Sequence, residues 1–432
     1  MRHVYERCAG LDVHKKSVVA CRAQVMADGQ WVTETKTFGT MTQELLTLLD
    51  WLQAWAVPHV AMESTGDYWK PVFNLLEGNL TVLLVNAQHV KHVPGRKTDV
   101  QDAEWLAELL SHGLLKASFI PPQPQRVLRD LTRYRTNLIE ERSRTNNRVQ
   151  KLLEGANIKL AAVASDILGV SARHMLEALV VGKASPSEMA ELARGRLRAK
   201  LPALQAALTG IVADHQRFLL AQQLAHIDFL DEQIEELGDE IARQCERMSQ
   251  AAPALPSDSP TNPAPPLTWQ AALTLLDTAP GINRRTAEVV LAEIGIDMHQ
   301  FPSAAHLAAW AGLAPGNHQS AQRRYAVRRR DGNPALRASL VQAAWVAVRT
   351  KNAYLAALFR RLAQRRGKKR AILAVAHSLL RSVYFMLTRQ QPYHDLGPDY
   401  FDQRDKQTKA DRLLRQLHQL GYAVQAVPLS VA

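Results

Sequence analysis

The chain has 432 residues, of which 47% are hydrophobic and 22% charged, and its formal net charge is +12. This length allows roughly two to four domains, and no stretch approaches the run of about 18 apolar residues that a membrane-spanning helix needs. The start of the chain lacks the apolar segment of a secretory signal. Its three cysteines lack the spacing of a zinc site or a disulfide framework, so we expect a cytoplasmic protein.

The positive charge is concentrated in the last part of the chain. Residues 251–432 contain 24 Lys and Arg against 11 Asp and Glu, whereas residues 1–120 have a net charge of −2 and residues 121–250 a net charge of +1. This asymmetry favours a polyanionic partner such as nucleic acid. A basic surface that only keeps the protein in solution would have the same composition.

The first 120 residues alternate between strand and helix patterns. Apolar runs predict four strands. The first ends near Asp12, the second and third cover 17–25 and 31–38 on either side of an Asp-Gly turn, and the fourth ends at Glu63. Helical patterns lie on both sides of the Glu63 strand, and a further strand precedes a last helix after Gly95. The order β-β-β-α-β-α-β-α is that of the α/β ribonuclease H-like fold.

The rest of the chain is predicted to be helical. Two long amphipathic patterns dominate residues 121–251, which predicts a coiled-coil or helical-hairpin region that mediates dimerisation. A Pro-rich linker follows at 252–267. An all-α domain is expected at 268–392 and a weakly structured tail at 393–432, after the α/β domain at 1–120.

Four acidic residues fall at the ends of predicted elements. Asp12 and Glu63 end strands that are neighbours in a sheet of this order, while Asp99 and Asp102 lie three apart on one face of the last helix. Carboxylates held together repel each other unless a cation lies between them, and oxygen ligands suit Mg²⁺ or Mn²⁺. Each acid alone is more simply explained as a helix cap or a solvated charge. Their joint placement predicts a metal site.

Several basic or turn-forming positions are candidate contacts to nucleic acid. The segment 275–295 has the helix–turn–helix pattern of a helix-hairpin-helix, in which backbone N–H groups bind phosphate, although an ordinary helical turn fits almost as well. Arg-rich runs follow at 323–330 and 360–370, where a solvated helix face is the competing interpretation. The predicted contacts are Lys97, Gly281, Arg284, Arg323, Arg324, Arg328, Arg329, Arg330, Arg365, Arg366, Lys368 and Lys369.

Four stretches in a fixed order resemble the DEDD transposases of the insertion-sequence 110 family, which includes the Piv-type DNA invertases. They are GLDVHKKSV, MESTGDYWKPV, VNAQHVKHVPGRKTDVQDAEWLAELL and WAGLAPGNHQSAQRR…DGNPALRASLVQAA. The resemblance implies a RuvC-like N-terminal domain with the tetrad Asp12, Glu63, Asp99 and Asp102. It also implies a C-terminal transposase domain whose essential serine matches Ser320, and a structured guide RNA encoded by the element.

The serine is chemically consistent with this family. A serine hydroxyl needs activation, and the arginines that follow Ser320 suit the charge of a phosphodiester transition state. We therefore expect Ser320 to attack a DNA phosphate beside the metal-bound carboxylates, forming a covalent intermediate that strand exchange reverses. Local sequence alone favours a turn-forming serine at this position.

These patterns predict a transposase or site-specific recombinase. We expect it to act on element ends and target DNA, with a guide RNA, as a homodimer or tetramer in the bacterial cytoplasm at the nucleoid, without a membrane partner. Two alternatives stay open. A RuvC-like, metal-dependent junction endonuclease would need the four acids but not Ser320, and a non-enzymatic nucleic-acid scaffold would use the acids only as helix caps.

Overall fold

A computed structural model of the chain describes residues 3–63, 66–85, 99–250, 267–314, 319–320, 323–324, 332–404, 406–422 and 424. Of residues 99–101, 319, 320, 323, 324, 402 and 406–409, only the backbone is described. The chain divides into two compact units, 1–121 and 122–432. The predicted linker at 252–267 lies outside the described residues except for its last residue, Leu267.

The first unit is an α/β domain. Its elements are β1 (Arg7–Val13), β2 (Ser17–Val25), β3 (Trp31–Gly39), α1 (Thr42–Gln53), β4 (His59–Glu63), α2 (Trp69–Leu76), β5 (Thr81–Val85) and α3 (Asp99–Ser111). This is the order that the sequence predicted.

The five strands form one mixed sheet in the order β3-β2-β1-β4-β5. The first three strands form an antiparallel meander, and β1 pairs in parallel with β4, which pairs in parallel with β5. The turn between β2 and β3 contains Gly29 with φ of 82°, a conformation that glycine adopts without strain. The predicted adjacency of the first and fourth strands is confirmed, and the sheet is compatible with a ribonuclease H-like fold.

Helices cover both faces of this sheet. Leu45, Leu48, Leu49 and Leu52 recur on one face of α1 with helical spacing, and they pack with α2 against the sheet face that contains Leu11. The opposite face is covered by α3, whose Ala103, Ala107 and Leu110 contact the small side chains of β1, β2 and β4. Asp12, which alternates with Leu11, therefore points to the α3 side.

The second unit is mostly helical. Its elements are α4 (Gln123–Gly155), α5 (Leu160–Val163), α6 (Val170–Val181), α7 (Pro186–Glu191), α8 (Leu201–Leu208), α9 (Asp214–Gln250), α10 (Trp269–Asp277), α11 (Arg284–Ile294), α12 (Ala304–Trp310), β6 (Gln319–Ser320), β7 (Arg323–Arg324), α13 (Pro334–Ala347), α14 (Tyr354–Arg366), α15 (Lys368–Arg389), α16 (Tyr400–Arg404) and α17 (Lys406–Gln419), with 3₁₀ turns at Gly195–Lys200 and Met298–Gln300.

The two long helices α4 and α9 lie side by side in opposite directions. Gln244 near the end of α9 donates to the carbonyl of Pro124 at the start of α4, and Arg142 pairs with Asp231 further along. Leu138 packs against Leu230 and Ile234 at the centre of the pair. The helical hairpin is thus formed within one chain, and supercoiled packing and dimerisation through it stay predictions.

The helix α15 lies at the centre of the C-terminal helices. It contacts α10, α12, α13 and α14, and its Val375, Leu379 and Val383 are fully buried. By length and composition it could cross a membrane, but half of its most apolar window is buried inside the protein. This is the pattern of a core helix in a folded domain.

Two expectations about the C-terminal region need correction. The region is not wholly helical, because Gln319 and Ser320 pair antiparallel with Arg324 and Arg323 in a small two-stranded sheet. The expected weakly structured tail contains α16 and α17. The aromatic ring of Phe401 is buried and stacks on Tyr354 at 5.3 Å between ring centroids, which anchors α16 to α14.

The three cysteines should be inert in the folded protein. Burial raises the pKa of Cys8 to about 12, and raises the pKa of Cys21 and of Cys245 to about 11. At pH 8, at most about one thiol in a thousand is then the reactive thiolate. We expect no rapid reaction of the native protein with Ellman's reagent and reaction of all three thiols in guanidinium chloride. Rapid labelling of a native thiol would contradict this burial.

Candidate catalytic site and nucleic-acid contacts

Asp12 and Glu63 lie at the same end of two adjacent parallel strands. Leu11 pairs with Met62 at the end of the β1–β4 register, and Asp12 and Glu63 are the residues that follow them. Residues in register on parallel strands share a face and lie about 4.8 Å apart across the ladder. The pairing therefore brings these two predicted site residues together on the face that α3 covers.

The path of α3 carries its first residue toward Asp12. The Cys8 thiol donates to the carbonyl of Ala107 at 3.3 Å, and Gly10 lies against Ala103. Two residues advance about 6.6 Å along a strand, and four residues advance about 6 Å along a helix. Each step of two residues along β1 therefore corresponds to a step of four residues backwards along α3. By the same step, the backbone of Asp99 comes next to Asp12.

Around Asp12 the site is polar and mostly enclosed. Asp12 is 7% exposed, and its Oδ2 lies 3.1 Å from Nε2 of His14. Glu63 and Asp102 are partly buried, and the structure describes only the backbone of Asp99. Among the described side chains, no group of three or more His, Cys, Asp or Glu is arranged to hold a metal. The four-carboxylate metal site therefore stays a prediction.

Gly10 is the residue that allows this close packing. A Cβ atom on Gly10 would overlap the carbonyl oxygen of Ala103 and would lie 2.6 Å from the backbone nitrogen of Ala107. Real Cβ atoms do not approach backbone so closely, so any larger residue would push α3 away from β1. The sequence interpretation did not single out Gly10, although it lies two residues before Asp12 on the same face.

The residues on either side of the segment that contains Ser320, Gly312 and Gly332, lie next to each other. Gly332, with φ of 55°, lies so close to Gly312 that a Cβ atom on it would be 2.5 Å from Gly312 Cα and 2.6 Å from the carbonyl carbon of Ala311. The two ends of the intervening segment therefore meet backbone to backbone. Within it, the structure describes only the hairpin β6–β7, which contains the backbone of Ser320, Arg323 and Arg324.

The predicted helix–turn–helix forms between α10 and α11. Asn283 caps α11 by accepting the N–H of Thr286 at 2.9 Å. Gly281, with φ of 83°, packs against α13, and a Cβ atom there would lie 2.9 Å from the backbone nitrogen of Ala347. Glycine at position 281 is therefore required for the packing of this turn against α13. A phosphate contact at the turn stays a prediction. Arg284 contacts Glu288 at 3.3 Å and donates to Gln270 at 3.1 Å.

The junction of α14 and α15 presents a basic surface. Arg365, Arg366, Lys368 and Lys369 are all exposed on either side of Gly367. Across the part of the chain that the structure describes, none of the four forms an ion pair with a carboxylate. They are placed to contact a polyanion from the solvent side. The predicted contacts Lys97, Arg328, Arg329 and Arg330 lie outside the described residues.

Beyond Gly10, two features were missed by the sequence interpretation. His14 follows Asp12 by two residues, so its proximity could have been inferred from strand alternation. A buried group around Glu293 joins α4, α11 and Asn333. Its members are separated by up to 204 positions in the chain, so no local pattern could have revealed them.

Comparison with known proteins relates the chain to one family. A model of DEDD transposases of the IS110 type, described as a transposase, matches residues 9–158, and a model described as the transposase IS116/IS110/IS902 family matches residues 273–360. Together they cover more than half of the chain, and they include all four acids and Ser320. The chain belongs to the IS110 family of transposases. It is a DNA-recombining enzyme.

Individual relatives support the same family. The transposase for insertion sequence element IS1111A of Coxiella burnetii is 25% identical over 77% of this chain and 79% of its own length. A probable family 20 transposase of Pseudomonas aeruginosa is 26% identical over 77% of this chain and 85% of its own length. The pilin gene-inverting protein of Moraxella lacunata is 33% identical over 31% of this chain and 41% of its own length. As a transposase, this IS110 family member binds DNA.

Substitution of Gly10 tests the packing of α3. In Gly10→Ala the new methyl group must displace backbone, so we expect a loss of about 1–3 kcal/mol in unfolding free energy and reduced DNA cleavage. Gly238→Ala is the matched control, because a Cβ atom there meets nothing within 4 Å. In mid-helix it should gain about 0.5–1 kcal/mol. Denaturant unfolding of both variants checks this, and equal stabilities would contradict the close approach.

The α14–α15 surface can be tested by the salt dependence of DNA binding. Arg365→Gln with Arg366→Gln should reduce the slope of log K against log salt by about 1 per charge removed. The control is Arg243→Gln with Arg247→Gln, which removes two arginines that pair with Glu240 on α9. Fluorescence anisotropy titrations at several salt concentrations give both slopes. Equal slopes in the two double variants would exclude direct phosphate contact by Arg365 and Arg366.

Proposed function

We propose that this transposase cuts and rejoins DNA strands with a metal-held acidic tetrad and a serine nucleophile, Ser320. The observation that supports the proposal is the placement of Asp12 and Glu63 at the same end of two adjacent parallel strands. No helix-cap role explains Asp12 or Glu63, because both end strands. Their pairing favours a shared ligand over separate structural roles.

The donor set fits a hard divalent cation. Asp12, Glu63 and Asp102 supply carboxylate oxygens, and Asp99 opens the same helix as Asp102. Carboxylates close together in a mostly buried site destabilise the fold unless their charge is neutralised. When bound there, Mg²⁺ or Mn²⁺ would supply charge neutralisation for an attacking and a leaving oxygen in phosphoryl transfer.

The role of Ser320 is covalent catalysis. Its Oγ forms a bond to a DNA phosphorus as the bond from that phosphorus to a deoxyribose oxygen breaks. The serine proton is lost to a base, and the leaving oxygen gains a proton. Attack of a new strand end on the phosphoserine diester reverses these steps, so one phosphodiester is exchanged for another without a high-energy cofactor. Arg323 and Arg324, which follow Ser320, suit the charge that develops on the phosphate.

Guide RNA and self-association belong to the same proposal. The resemblance to the insertion-sequence 110 family supports an element-encoded RNA that pairs with donor and target DNA, and the net charge of +13 in residues 251–432 suits such a polyanion. The long helices support a dimer or tetramer. Phe218 and Phe229 of α9, which are 62% and 53% exposed, offer apolar surface to a second copy of the chain.

The competing function is hydrolysis by a RuvC-like junction endonuclease. It shares the carboxylates of the first unit, and the α/β sheet supports it equally well. It differs in using water as the nucleophile, so that no covalent protein–DNA species forms and Ser320 is dispensable. Detection of a covalent adduct therefore separates the two functions.

The decisive experiment is a strand-cleavage assay on DNA that carries the element ends, with the flanking element RNA and with Mg²⁺ or EDTA. Ser320→Ala should abolish the covalent adduct, and Asp12→Asn or Asp102→Asn should slow its formation by roughly 1000-fold or more. Matched controls are Ser143→Ala on α4 and Asp50→Asn on α1, both exposed. Adducts are detected by denaturing electrophoresis of labelled DNA.

The same experiment can overturn each part of the proposal. Cleavage that survives Ser320→Ala without an adduct would establish the endonuclease instead. An adduct that forms in EDTA would exclude metal dependence. As an independent measure, Mg²⁺ should raise the melting temperature of the wild type more than that of Asp12→Asn, because the variant has one repelling carboxylate and one ligand fewer.

A further inference from the structure

A buried carboxylate lies at the centre of the second unit. Glu293, near the end of α11, has no exposed surface. Arg133 of α4 contacts it with two donors, Nε at 2.7 Å and Nη2 at 2.9 Å, and Nε of Arg129 lies 3.3 Å away. The fourth contact comes from Asn333, whose Nδ2 donates to Oε2 of Glu293 at 2.7 Å.

The arginines account for the burial of this charge. A buried carboxylate is strongly destabilising unless it is paired and hydrogen-bonded, and the planar fork of Arg133 satisfies both oxygens. Arg129 also donates to the carbonyls of Ala292 and Glu293, which end α11. Its own burial lowers the pKa of Arg129 to about 10, an effect that the nearby Glu293 opposes. These contacts fix the end of α11 on α4.

Asn333 adds a connection that the ion pairs do not need. It is 8% exposed, and its Oδ1 accepts the N–H of Leu336 at 3.0 Å, so it is the N-cap of α13. The same amide group uses its nitrogen to contact Glu293. One side chain therefore starts α13 and binds it to the buried charge.

The position of Asn333 gives this connection its importance. It directly follows Gly332, which meets Gly312 backbone to backbone at the base of the segment that contains Ser320. We define the serine segment as residues 315–331. The first two described residues after it are Gly332 and Asn333, and Asn333 is connected through Glu293 to Arg133 on the long helix α4.

We propose that Glu293 is a positioning residue that acts through Asn333 to fix the base of the serine segment on α4. Its effect on catalysis rests on the proposed role of Ser320, because a nucleophile displaced by even 1 Å reacts far more slowly. The position of the serine segment would then depend on α4, so that a movement of the α4–α9 pair would also move the nucleophile.

Asn333→Asp separates anchoring from capping. Aspartate caps helices as well as asparagine does, but it has no N–H group to donate and it places a second carboxylate against Glu293. Asn333→Ser is a second test, since it keeps a capping oxygen, loses the amide donor and adds no charge.

Three measurements are made on the full-length chain with element DNA and RNA: DNA affinity, the single-turnover rate of Ser320 adduct formation, and amide hydrogen exchange in peptides from residues 312–336. We expect Asn333→Asp to slow adduct formation on the order of 100-fold at unchanged DNA affinity. Exchange in the serine segment should be faster. Thr268→Ala, which removes the cap of α10 in the same unit, controls for general loss of stability.

Either readout can overturn the inference. Adduct formation and exchange at wild-type rates in both Asn333→Asp and Asn333→Ser would show that the contact does not position the segment. Equal effects in Thr268→Ala would reduce Asn333 to a general stabilising residue. If the wild type forms no Ser320 adduct, the proposed catalytic function fails, but hydrogen exchange still decides whether Glu293 anchors the segment.

Discussion

The parallel pairing of β1 with β4 is the constraint on which the candidate site depends. It sets Asp12 beside Glu63 on one face of the sheet. On this face β1, β2 and β4 carry small residues, so α3 can lie directly on the sheet. Gly10 is the limiting position, since its missing side chain admits the backbone of α3. The geometry of the carboxylates is therefore a consequence of backbone packing, and the acids themselves need contribute nothing to the stability of the sheet.

Much of the fold of the first unit could be predicted because its strands and turns are determined by residues close together in the sequence. The alternation of apolar residues set the strands, the Asp-Gly pair set the hairpin, and the element order set the adjacency of strands one and four. The small hairpin at Ser320 was not predicted, because two-residue strands leave no periodic signal. The tail was expected to be weakly structured because its charged residues obscured the aromatic contacts of Tyr400 and Phe401 with Tyr354 that anchor it.

The buried network of the second unit lay beyond prediction for a different reason. Arg129 and Arg133 look like ordinary solvated charges on a long amphipathic helix, and Glu293 looks like one more acid at a helix end. Their partners are about 160 residues away in the chain, and only the fold shows that the carboxylate is fully buried. Sequence patterns report which residues face the interior on average, but they do not report which charges meet there.

Ion pairing divides the arginines of this transposase into two functional groups. Arg129 and Arg133 both pair with Glu293, which offsets part of their charge, and they organise the protein itself. Arg365 and Arg366 are exposed, and their charge remains available to a phosphate backbone. The net charge of +12 does not distinguish arginines that are paired within the protein from those that are free to bind phosphate. The useful quantity for a nucleic-acid enzyme is the charge left unpaired at the surface, because only that charge releases counterions when the polyanion binds.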